Sequence, residues 1–125
     1  MIRVKVRGDY KKANHYMERL LELFKKGSLD RYGIMGVEAL SSATPMDSGV
    51  TASSWVYEII RSKNAVSLVW KNNNINNGVN IAVILQYGHG TGTGGYVQGV
   101  DYINPALKPV FDKIAKDIQM EVRRL

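Results

Sequence analysis

The chain of 125 residues contains no cysteine. That excludes disulfide frameworks, cysteine-based zinc sites and thiol nucleophiles. The lack does not fix a redox compartment, although it fits assembly in a reducing cytoplasm. Histidine is scarce too. His15 and His89 lie far apart and without a spaced carboxylate cluster, so no metal-ligand pattern is present. Ser41, Ser42, Ser48, Ser53 and Ser54 could be imagined as nucleophiles, with His89 near Asp101 as the base, but no Gly-x-Ser-x-Gly elbow occurs. Long apolar runs are also missing. The longest, Ile81 to Leu85, is far too short to span a bilayer. Ile2, Val4 and Val6 alternate with Arg3, Lys5 and Arg7, which rules out the apolar centre of a signal peptide. The expectation is a soluble protein without a leader, with no enzymatic activity, no catalytic residues, no cofactor, no metal and no membrane contact.

What is present describes one small globular domain spanning residues 1–125, with 45% hydrophobic and 22% charged residues. Such a chain buries a modest core. The formal charge of +6 permits contact with nucleic acid or an acidic partner. However, the basic residues are scattered, and Glu18, Glu22, Asp112, Asp117 and Glu121 interrupt the basic helix faces. Weak or no nucleic-acid binding is therefore expected, lost at physiological salt.

The period-two pattern at Ile2–Arg7 predicts a half-exposed strand. Ala13, Tyr16, Met17, Leu20, Leu21 and Phe24 recur at helical spacing, with Gly27 as a stop. A second helix is predicted from Ser28 to near Ala43, because Pro45 disfavours helical geometry at Thr44. Gly33 and Gly36 share a face of it with Val37 and Leu40, which implies close approach of another element. A turn-rich passage to Ser54 precedes a strand from Trp55, a connection at Ser62-Lys63-Asn64, and a second strand presenting Val66, Leu68 and Trp70. Lys71 to Asn80 holds six asparagines and one glycine and reads as an exposed loop; Ile81 to Tyr87 reads as a central strand. Asn104 and Pro105 read as the cap and first position of a last helix, whose stripe is Leu107, Val110, Phe111, Ile114, Ala115, Ile118, Val122 and Leu125. The fold class expected is α+β: a small antiparallel sheet of three to four strands against a long C-terminal helix and two N-terminal helices.

Two segments invite a chemical reading. Gly88 to Gly99 has six glycines in twelve residues and reads as a loop. It follows the segment read as a strand, as a phosphate loop would, yet no Gly-Lys-Ser/Thr and no helix N-terminus comes directly after the glycines. Trp55, Tyr57, Trp70 and Tyr87 could stack single-stranded bases, but packing within the fold is the commoner use of such rings.

Three segments in order carry a family resemblance. Ala43-Thr44-Pro45-Met46-Asp47-Ser48-Gly49 resembles the Ala-x-x-Pro-x-Asp-Thr-Gly segment of the siphophage minor tail components of the head–tail joining, tail-completion kind. Leu85-Gln86-Tyr87-Gly88-His89-Gly90-Thr91 is similar to that family's Tyr-Gly-(His)-Gly-Thr signature. Gly94 to Leu107 is similar to its Gly-Gly-Tyr-Val-x-Gly-Arg-Asp-Phe-Ile-x-Pro-Ala segment, with Val100 in place of the arginine. The resemblance spans roughly residues 29 to 125 and implies a structural virion protein, assembled in the host bacterial cytoplasm. Such a subunit would act in a homo-oligomeric ring in the phage neck, beside connector or tail-tube proteins. The alternative is a nucleic-acid-binding module that contacts DNA in that neck. In either case the adaptable surface is the glycine-rich segment, and its candidate assembly residues are Tyr87, His89, Tyr96, Val97 and Asp101.

Overall fold

A computed structural model describes residues 2–7, 27–45, 49–62 and 65–124. The helix expected around Ala13 to Phe24 lies outside the described residues. The protein is α+β. Strand β1 (Ile2–Arg7) precedes helix α1 (Ser28–Ala43), a 3-10 turn (Ala52–Ser54), strands β2 (Trp55–Arg61) and β3 (Ala65–Asn72), and the two-residue strands β4 (Ile75–Asn76) and β5 (Val79–Asn80). Helix α2 (Ile81–Tyr87), strands β6 (Gly88–Gly90) and β7 (Tyr96–Gln98), and helix α3 (Ile103–Arg124) follow.

The main sheet has the order β1-β3-β2, antiparallel throughout. Strand β3 is its centre, and all residues from Ala65 to Trp70 are buried. Val66, Leu68 and Trp70 alternate toward the helices and join Leu29, Tyr32, Leu40, Leu107, Val110 and Ile114 in the core. Helix α1 lies on β2 and β3, and α3 lies against α1. The glycine face of α1 accounts for this approach. A Cβ on Gly33 would collide with the ring of Tyr57, and one on Gly36 with the ring of Trp70. Trp70 is fully buried, and its indole N–H donates to the Gly33 carbonyl at 3.0 Å. The missing side chains thus make room for two aromatic rings and expose a carbonyl that one of them needs.

Helix α1 ends as the sequence predicts. Thr44 is extended, its hydroxyl donates to the Leu40 carbonyl at 2.6 Å, and Pro45 follows. The Trp55 indole N–H donates back to the Thr44 hydroxyl at 2.8 Å, which fastens the start of β2 to the end of α1. On α3 the inward positions are Leu107, Val110 and Ile114; Phe111 is 38% exposed and touches the core through Trp70, 6.2 Å between ring centres. Two i,i+4 ion pairs lie along α3, Lys108–Asp112 on the exposed face and Lys113–Asp117 at the edge beside α1.

Four expectations are corrected. Ile81–Tyr87 is a helix, not a strand. A short apolar run suits either element, and burial at Ala82 and Gln86 against exposure at Val83 and Tyr87 follows the helical period. Lys71 to Asn80 is not an open loop: β4 and β5 pair around Asn77-Gly78, both at positive φ, as a two-residue hairpin turn requires. Gly88 to Gly99 is not loop throughout, because β6 and β7 pair as a ribbon. Finally, Asn104 does not cap the last helix. The helix begins at Ile103, and the Asn104 side-chain amide donates to Asp101 at 3.0 Å.

Candidate functional site

The residues of interest lie at the junction of α2, the ribbon and the start of α3. Gln86 organises it. Its side-chain oxygen accepts from the backbone N–H groups of Tyr102 at 2.9 Å and Ile103 at 3.0 Å, and its amide donates to Asp101 at 2.6 Å. A buried glutamine on one helix therefore satisfies the first amides of another, in place of the local cap expected from Asn104. Tyr102 closes the same joint: its hydroxyl donates to the Ala82 carbonyl at 2.7 Å, and burial pushes its pKa up to about 12.

The ribbon leaves this joint through two glycines. A Cβ on Gly99 would lie 2.5 Å from the Gln86 carbonyl oxygen and the Gly88 nitrogen, and one on Gly88 would meet the Tyr96 hydroxyl at 2.5 Å. Gly88 also has φ +85, which disfavours any side chain. The Val100 N–H donates to the Leu85 carbonyl at 3.0 Å. The base of the ribbon is thus set by backbone against backbone, which leaves little freedom in the direction it takes.

Four of the five expected site residues come together. Tyr87 ends α2 with 72% of its surface exposed; Tyr96 is 64% exposed and donates its hydroxyl proton to the Tyr87 carbonyl at 3.1 Å. His89 and Val97 are partners across the ribbon. Asp101 stands apart. It belongs to the start of α3, where it holds Gln86 and Asn104, and it does not approach His89 as a catalytic pair would. The His89 Nδ1 and Asn80 Oδ1 atoms are shielded and have no hydrogen-bond partner among the described residues.

Gln86 and the extent of the surface escaped the sequence reading. One signal would have found the surface: residues 72–100 contain no Asp, Glu, Lys or Arg, in a chain with 17 basic and 11 acidic residues. Ile75, Val79, Val83, Tyr87, Tyr96, Val97 and Val100 fall in that segment, and they make up more than half of the large apolar side chains exposed among the described residues. Beside it, between the sheet, α2 and α3, opens a cleft of about 410 Å³ walled by Arg3, Trp70, Val83 and Phe111. The base-stacking reading finds no platform here, since Trp55 and Trp70 are buried with both indole N–H groups bonded inside the fold. Among the described residues no group of His, Asp and Glu could hold a metal ion, and no helix is long and apolar enough to cross a membrane. No protein-family model, no curated protein and no solved structure matches this chain.

Proposed function

We propose that this protein is a structural assembly subunit of a tailed-phage particle, working in head–tail joining or tail completion by packing against copies of itself and neighbouring virion proteins. One observation carries the reading: an uncharged segment, 72–100, holds Tyr87, Tyr96, Val97 and Val100 exposed on a base of close backbone contacts. Apolar side chains grouped on a surface are a mark of contact with another macromolecule. The resemblance of Leu85 to Thr91 and of Gly94 to Leu107 to siphophage tail components supplies the biological setting. The mechanism is docking, with no covalent step. Tyr96 and Val97 provide apolar area, and the paired ribbon keeps the ordering cost of a glycine-rich segment low at the moment of contact.

The test is Tyr96→Ala in the assembling particle. Its ring is 64% exposed and contributes one hydrogen bond to the fold, so melting should shift little. Infectious titre should fall sharply, with heads and tails accumulating unjoined. Full titre, or a titre that falls only in step with a large loss of melting temperature, rejects the reading. Tight binding of duplex DNA at physiological salt would replace it with the nucleic-acid alternative.

A further inference from the structure

We infer that the ribbon of one copy docks into the cleft of a second copy, so that Tyr96 and Val97 of each molecule sit between Arg3, Val83 and Phe111 of the next. The inference rests on the assembly reading and specifies its contact. The two surfaces are different parts of one chain, so the contact is head-to-tail and repeats, closing into a ring or continuing as a filament according to the angle between copies.

The occupant follows from charge. Two molecules at +6 repel one another over most of their surfaces. The ribbon carries no formal charge, and Arg3 is the only formally charged residue among the described residues that wall the cleft. An uncharged aromatic arm and a cleft with a single guanidinium are complementary: the face of a tyrosine attracts a guanidinium, and no like charge is brought close. An acidic partner would have no basic cluster to meet in this cleft, and a basic partner would be repelled by Arg3. The uncharged ribbon of a second copy meets neither problem, because it enters the cleft ahead of the copy's basic surfaces.

The free molecule is also shaped for this contact. The Tyr96 hydroxyl is held by the Tyr87 carbonyl at 3.1 Å while its ring stays exposed, so the anchor is oriented before docking. The glycine contacts at Gly88 and Gly99 fix the base of the ribbon. On the receiving side Val83 is 41% exposed and Phe111 38%, apolar surface that the other described residues leave open.

Because the chain has no cysteine, introduced cysteines report contacts without background. Gln98→Cys, beside the anchors on β7, and Val83→Cys chains of distinguishable mass are mixed and oxidised, so any mixed disulfide is intermolecular by construction. Both positions are exposed, and unchanged melting of each variant confirms the fold. The mixed disulfide is expected to exceed several-fold that formed between Gln98→Cys and Lys116→Cys, a pair of exposed positions that the docking does not bring together. It should fall to that level when Phe111→Asp is added to the Val83→Cys chain, provided that chain still melts cooperatively. A mixed disulfide no stronger than the control overturns the inference, as does a predominance of Gln98→Cys homodimers, which would mean arm against arm. If sedimentation shows self-association while the mixed disulfide stays at control level, the arm-in-cleft contact is wrong and the assembly reading stands. If Tyr96→Ala leaves titre intact, the assembly reading fails whatever the disulfides show.

Discussion

The seam between α1 and the sheet and the base of the ribbon solve one problem, close approach, to opposite ends. At the seam, Gly33 and Gly36 leave room for the rings of Tyr57 and Trp70. Trp70 vanishes from solvent, and its indole finds a carbonyl that a side chain would have screened. At the ribbon, Gly88 and Gly99 let backbone meet backbone, and the aromatic residues Tyr87 and Tyr96 remain outside. The first use of glycine buries apolar area and so stabilises the domain. The second uses glycine for direction: it aims a surface on which Tyr87 and Tyr96 stay exposed. If the ribbon docks as proposed, stability and interaction lie in separate parts of a small chain and should be separable by mutation.

The largest effect should come from closing the seam. Gly36→Val would drive a branched side chain into a fully buried indole that has nowhere to go, and about 3 kcal/mol of stability should be lost. Helix propensity works the other way, since glycine costs up to about 1 kcal/mol in a helix interior, so a net loss shows that the contact outweighs the backbone term. Gly99→Ala is the counterpart at the ribbon. Its Cβ would collide with the backbone of Gln86 and Gly88, so the arm must shift while the core is untouched. Chemical denaturation should show a clear loss for the first variant and little for the second. Hydrogen exchange should show protection lost across the β6–β7 pairing in the second alone. Equal destabilisation by both would mean that the two regions are one cooperative unit.

Gln86 joins them, and its removal should rank next. Gln86→Ala leaves the N–H groups of Tyr102 and Ile103 without their acceptor and frees Asp101, at a cost of about 2 kcal/mol. The first turn of α3 should fray, visible as faster amide exchange at Tyr102 and Ile103, while the middle of α3 keeps its protection. Wild-type stability in this variant would show that water replaces the glutamine without loss.

The parts legible from sequence are those whose cause is local. Pro45 stops α1 at Ala43, alternation at Ile2–Arg7 makes a strand, and the glycine face of α1 announces a close neighbour. Asn77-Gly78 is an equally local signal for a two-residue turn, masked in the sequence by the asparagines around it, which also suit an exposed loop. Ile81–Tyr87 could not be settled locally, because its apolar run satisfies strand and helix alike and the choice is made by Ala82 beneath Tyr102 and by Gln86 reaching α3. The same holds for the start of α3. Asn104-Pro105 is a good local cap signal, overridden by an acceptor sixteen residues before Tyr102. Of the candidate site, Tyr87, His89, Tyr96 and Val97 lie on the ribbon or at its base, in line with their setting among glycines, whereas Asp101, near them in sequence, serves the start of α3.

The smallest effect sharpens what holds the two long helices together. The Tyr32 hydroxyl on α1 donates to the Asp117 carboxylate on α3 at 2.6 Å, and Lys113 reaches the other oxygen of the same group at 2.9 Å. Burial, and then Asp117, raise the pKa of Tyr32; the Tyr32 hydrogen bond, and then Lys113, lower that of Asp117. A carboxylate whose pKa is lower in the folded than in the unfolded chain stabilises the fold above its unfolded value, and that contribution disappears as the pH falls through the carboxylate range toward the folded value. Because Asp117 sits at the solvent edge, screening limits the gain, and Tyr32→Phe should cost less than about 1 kcal/mol at neutral pH. The gap between parent and variant should then narrow as the pH falls below the ordinary carboxylate value and close only once the folded Asp117 carboxyl is itself protonated. Denaturant midpoints for both proteins across that range read the difference directly. A gap that stays constant with pH would mean that the hydroxyl matters for packing, and that α1 and α3 are held by Leu29, Tyr32, Leu107, Val110 and Ile114 without electrostatic help.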